Sequence, residues 1–197
     1  MSFKGDPVRL LVIPGLNGSG PAHWQSWLQA QFGRHALRVE QEDWAVPDLA
    51  RWTQRIEATL ARHSRSRWVA AAHSFGCLAL LHYLALGGEG VRSALLVAPA
   101  DPEKFGVAAQ LPRARLHIPS VLLASENDPW MRFDAVCAWS RVWGSRLVSL
   151  GEAGHINVDA GFGALPPAKT LVEAMVRRLE RERRIERAHL LELSFAI

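Results

Sequence analysis

Cysteine is scarce in this chain of 197 residues: Cys77 and Cys137 each sit inside an apolar, helix-like stretch with no CxxC partner. That excludes a disulfide framework and a zinc site, so no metal is expected, and a reducing compartment suits both thiols. A long apolar run is missing too. The first one stops at Pro14-Gly15, too short for a membrane span, and the residues before it lack a signal-peptide cleavage pattern. The expectation is a cytoplasmic protein with no membrane association.

Charge of one sign is equally limited. The formal net charge is +4, and the arginines are scattered except over residues 177–187, where six arginines meet three glutamates. A solvated helix face with i,i+4 pairs, such as Glu180 with Arg184 and Arg178 with Glu182, accounts for that segment. No recognition motif accompanies it, so no nucleic-acid partner is expected. Internal repeats, low-complexity tracts and linkers are absent. Hydrophobic residues at 49% and charged residues at 21% are ordinary for a folded protein, and the length suits one domain, 1–197, with about 181–197 read as a basic helical extension.

What is present is alternation. Short β-rich apolar runs recur at 8–13, 36–39, 68–72, 94–98, 120–124 and 147–150, separated by segments long enough for helices. This predicts an α/β fold with about six strands, mostly parallel, covered by helices on both faces. Trp24, Trp27, Leu28 and Phe32 fall at helical spacing, with Pro21 near the start and Gly33 at the end. Asp48 caps a second helix with Leu49, Trp52, Ile56 and Leu60 inward. A third, over 75–86, is apolar on every side and so buried. A fourth is expected over 132–143 and a fifth from about Pro167.

The strand at 68–72 runs straight into His73-Ser74-Phe75-Gly76 and then into the buried helix. Ala72-His73-Ser74-Phe75-Gly76 at a strand-to-helix turn reads as a nucleophile elbow with alanine in place of the first glycine. The bare pattern is weak evidence; its position between strand and helix supplies the specificity. A serine hydroxyl needs a base, and among eight histidines His155 stands out, in Gly154-His155-Ile156-Asn157 just after the last strand-like run. His82 reads as a core histidine, and His73 is expected to point away from the nucleophile across the turn. The imidazole needs a carboxylate to orient it. Asp128, in Ser125-Glu126-Asn127-Asp128-Pro129-Trp130 after the fifth run, is preferred, with Glu126 the nearest competitor and Asp134 and Asp159 weaker. Pro14-Gly15-Leu16-Asn17-Gly18-Ser19-Gly20 follows the first strand, where Leu16 N–H or Asn17 N–H would join Phe75 N–H in an oxyanion hole. No lysine follows those glycines at Walker spacing, so nucleotide binding is not indicated.

The motifs PGLNGSGPAHW, EDW, AHSFG, SENDPW and GHIN together resemble the compact α/β-hydrolases of the retinoblastoma-binding-protein-9 and YdeN type. The resemblance covers most of the chain, up to about Arg181. It implies a parallel sheet lacking the first two strands of larger hydrolases, with Ser74 as nucleophile, Asp128 as acid and His155 as base. The order Ser74, Asp128, His155 is that of α/β-hydrolases. The reaction implied is hydrolysis of a small carboxylic ester, thioester or amide through an acyl-serine, with no cofactor. Neither cysteine has a glutamate two positions later, so the Leu-x-Cys-x-Glu partner motif is absent. Residues 100–118 leave room for a short helix and a loop, which predicts an open site without a large lid. Trp130 and the His23-Trp24 pair are expected to flank the substrate. The alternative from another class is a hydrolase-fold protein that works mainly as a partner-binding module.

Overall fold

The computed structural model describes residues 7–63 and 66–195, with side chains to 189. Six strands form one parallel sheet in the order β2-β1-β3-β4-β5-β6: β1 (Val8–Ile13), β2 (Ala36–Arg38), β3 (Arg67–Ser74), β4 (Val91–Pro99), β5 (Ser120–Ala124) and β6 (Arg146–Ser149). Five helices connect and follow them: α1 (Trp24–Phe32), α2 (Leu49–Ala61), α3 (Phe75–Ala85), α4 (Phe133–Trp143) and α5 (Pro166–Phe195). Among the described residues, no helix is long and apolar enough to cross a membrane.

The strand alternation sorts the core into two layers. Leu10 and Val12 of β1 pack with Trp24, Leu28, Val172 and Leu179 under α1 and α5. Leu11 and Ile13 pack on the other face with Trp52, Ile56, Leu78 and Val136 under α2, α3 and α4. Both faces are buried, which is why the strands read as continuous apolar runs. α3 is apolar all round because it lies in the thick of the second layer. β3 is longer than the run at 68–72 suggests, since His73 and Ser74 continue its ladder against Val97 and Pro99.

α5 runs unbroken through the basic segment. Arg178 pairs with Glu182 at 3.4 Å as expected, whereas the expected pairing of Glu180 with Arg184 is not found among the described residues. Glu186 instead receives Arg67 at the start of β3, tying the second half of the helix to the sheet.

Chain order places a topological switch between β1 and β3, where a crevice opens at the carboxyl ends of parallel strands. The two loops leaving that crevice touch. A Cβ on Gly76 would lie 2.3 Å from the Pro14 carbonyl oxygen, and one on Gly15 would lie 2.7 Å from Ser74 Cβ. Gly76→Ala therefore tests steric fit against helix propensity, which by itself favours alanine by roughly 1 kcal/mol. We expect the clash to win and the variant to lose about 1–3 kcal/mol or more in urea unfolding.

Candidate active site

Ser74 ends β3 and begins the turn into α3 with φ +53°, a conformation disfavoured for any side chain except glycine's hydrogen. The turn lifts the hydroxyl off the sheet edge. Ser74 Oγ lies 2.9 Å from His155 Nε2, and His155 Nδ1 lies 2.9 Å from both carboxylate oxygens of Asp128. A carboxylate only accepts, so Nδ1 carries the proton and Nε2 presents its lone pair to the serine hydroxyl. The Asp128 side chain is 3% exposed. Glu126, the competing acid, turns outward and accepts a bond from Ser149 Oγ.

Four residues other than glycine have positive φ among those described: Asn17, Ser74, Ala98 and Ile156. All stand at the carboxyl edge of the sheet or in the loops above it. Each such conformation costs on the order of 1–3 kcal/mol and persists only where surrounding bonds over-determine it. The bonds are visible. Asn127 Oδ1 accepts from Gly154 N–H at 2.7 Å, and Ser125 Oγ accepts from Ala153 N–H at 2.9 Å. Together they fasten the loop carrying Asp128 to the loop carrying His155. Trp130 N–H donates to Asp128 Oδ1 at 2.9 Å.

On the other side of the crevice, Gln25 is fully buried and donates from Nε2 to the carbonyls of Ile13 and Ala71, both at 3.0 Å. These acceptors end β1 and approach the end of β3, where the strands diverge. Ser19 Oγ donates to Gln25 Oε1, and His23 Nδ1 caps α1 by accepting from Gln25 N–H. Sequence reasoning overlooked Ser125, Asn127 and Gln25. Their signal was faint: polar residues within otherwise unremarkable loops and one glutamine on the apolar side of a helix.

The cleft above Ser74 holds about 310 Å3 and is lined in part by Leu16, His23, Phe105, Trp130, Asn157 and Val158. Phe105, from the short segment between β4 and β5, packs at a tilt against Phe75 at 5.1 Å, and Lys104 Nζ donates to the carbonyls of Pro129 and Trp130. That segment covers one flank and leaves the site open.

Two expectations change, and a third gains a consequence. Trp24 does not reach the cleft: it is 0% exposed and packs among Leu28, Val69 and Val97, because α1 turns that face to the sheet. Asn17 N–H is taken by the Trp44 carbonyl at 2.9 Å, which of the two expected donors leaves Leu16 N–H, without a backbone acceptor among the described residues. His73 leaves the serine side of the strand as expected but is not idle. Its Nε2 donates to the His155 carbonyl at 3.0 Å, and its ring lies 4.9 Å from those of both His23 and His155. His23 and Trp130 do line the cleft, the latter 47% exposed and 6.0 Å from the His155 ring.

A six-stranded parallel sheet with a serine on a strained turn, facing a histidine and an aspartate from later loops, defines an α/β-hydrolase. Residues 10–174 match the serine hydrolase family, and the chain belongs to it. A YdeN-like hydrolase from Pectobacterium atrosepticum is 36% identical, with a TM-score of 0.79 over 87% of this chain and 90% of its own. The ydeN product of Bacillus subtilis shares the fold at 20% identity, with a TM-score of 0.67 over 86% of this chain and 97% of its own. An esterase from Exiguobacterium antarcticum shares it at 13% identity and a TM-score of 0.64, over 89% and 93%. No curated protein matches this chain.

The neighbours of His23 give a pH dependence. Burial first, then the positive charge of Arg38 and that of a protonated His155, push its pKa from 6.5 down to about 4. His73 moves in the same direction, again chiefly through burial. Between these limits the unfolded chain binds more protons, so the contribution of His23 to stability is complete above about pH 6.5 and is lost as pH falls through about 4. Urea midpoints measured across this window should fall with pH. His23→Asn, which can still cap α1 but does not titrate, should flatten the fall; an unchanged slope would remove His23 as a source.

Proposed function

We propose that this serine hydrolase cleaves small carboxylic esters, with thioesters and amides as variants, through an acyl-serine formed on Ser74. The observation that carries the reading is the continuous chain of 2.9 Å contacts from Ser74 Oγ through His155 to Asp128. His155 Nε2 takes the hydroxyl proton as Oγ attacks the carbonyl carbon, and Asp128 stabilises the imidazolium that results. The carbonyl oxygen becomes an oxyanion between Leu16 N–H and Phe75 N–H, the second at the start of α3, where the helix end favours negative charge. Collapse of the tetrahedral species expels the leaving group, which His155 protonates. Water, deprotonated in turn by His155, then attacks the acyl-serine and returns Ser74 to its starting state.

Every step uses side chains and amides already in place, so no cofactor is invoked. Substrate enters a cleft at the small end of the usual range for ligand pockets. Leu16, Phe105, Trp130 and Val158 give it apolar walls, while His23 and Asn157 offer polar contacts. Because the leaving group must lie beside His155 to receive its proton, the Trp130 indole is placed to contact it. The alternative of a pure partner-binding module leaves the strained Ser74 and the buried Asp128 without a purpose.

Two measurements test the reading. A fluorophosphonate probe should modify Ser74, and Asp128→Asn should keep the fold while lowering kcat by roughly 10⁴ through the wrong histidine tautomer; an unlabelled parent protein or near-normal turnover in the variant would overturn it. Trp130→Ala should raise KM for aryl esters by about 2- to 10-fold relative to methyl esters of the same acid, as expected for loss of an aromatic contact. Equal effects on both ester series would remove Trp130 from the leaving-group side.

A further inference from the structure

The mechanism above gives His73 no task, although this buried polar side chain lies against the reacting histidine. We propose that His73 is a positioning residue: its Nε2–H, bonded to the His155 carbonyl, fixes the peptide plane from which the His155 imidazole projects and so aims the base at Ser74 Oγ. The proposal rests on the serine, histidine and aspartate reading of the site.

The plane of the peptide between His155 and Ile156 is oriented by φ of Ile156. That angle is +48°, a left-handed value that a β-branched side chain adopts only under restraint. Ile156 is fully buried, so its side chain has no room to swing aside and relieve the strain. Relaxation to negative φ would turn the His155 carbonyl away from His73. The strained angle and the 3.0 Å bond therefore belong to one local state. Among the described residues, His73 is the side chain that donates to this carbonyl.

His73 has little freedom of its own. Its backbone is set in the β3 ladder immediately before the strained Ser74. Its ring is held between those of His23 and His155, with Trp24 edge-on at 6.0 Å. The residue adjacent to the nucleophile in sequence thus grips the backbone of the base, a stiff link that bypasses the reacting atoms. The titratable groups around it are His23 at the start of α1, with Arg38 of β2 acting on it, and His155 with Asp128 beyond. Burial foremost, then the charges of His155 and His23, keep His73 neutral. Its single proton then stays on Nε2, facing the carbonyl, and no second cation competes with the imidazolium formed during turnover.

His73→Phe and His73→Met delete the donor while keeping an apolar side chain of similar bulk; His73→Gln restores an N–H at a comparable reach. With p-nitrophenyl acetate, the two donor-less variants should lower kcat about 10- to 100-fold, the size expected for a small misplacement of a reacting group, with KM nearly unchanged. They should also lose the downfield proton resonance of His155 Nδ1–H bonded to Asp128. H73Q should recover both. A packing role alone would make H73Q, with a polar amide in a buried site, the poorest of the three. A folded donor-less variant with parental kcat and resonance would overturn the proposal, as would H73Q no better than H73F. Fluorophosphonate labelling of the parent separates the two levels: a labelled parent with unaffected variants removes only His73, whereas an unlabelled parent removes the hydrolytic reading itself.

Discussion

The contact between the loop after β1 and the turn from β3 into α3 is the constraint on which the site depends. Backbone meets backbone there, with Gly76 under the carbonyls of Ile13 and Pro14 and Gly15 against Ser74. Any side chain would separate the two segments. The same closeness sets the loop that carries Leu16 beside the turn that carries Ser74 and Phe75. In the proposed reaction, a steric requirement of the fold would thus also serve to stabilise charge.

Strain concentrated at that edge is offset by polar side chains bonded to the backbone around it. Gln25 occupies carbonyls left open as β1 and β3 diverge. Ser125 and Asn127 do the corresponding work between the loops of Asp128 and His155. Around them runs an aromatic chain, Trp44 against Trp52, Trp52 against Phe75 and Phe75 against Phe105, with rings nearly perpendicular in the first two pairs. It joins α2, the turn and the short cover over the cleft in one packed unit.

Much of this was legible in the sequence for a physical reason. Strands buried on both faces leave continuous apolar runs, and a turn that demands small residues leaves Ala72 and Gly76 beside a serine. Ser74, Asp128 and His155 were readable because each follows such a run. The polar supports were not, because a glutamine bonded to two strand ends looks like any glutamine on a helix. Trp24 misled for a related reason: proximity in sequence to the first loop says nothing about which way a helix turns its face. The amide of Asn17 was indistinguishable from that of Leu16 until Trp44, distant in sequence, was seen to accept from it.

His155 is carried by the loop after β6, a strand of four residues at the margin of the sheet with two of them exposed. Ser74, by contrast, is anchored in the buried centre, at the end of β3. Marginal strands open at lower free energy than central ones. The loop bearing His155 therefore opens at lower free energy than the strand end bearing Ser74, and their contact parts more readily than the apolar layers do.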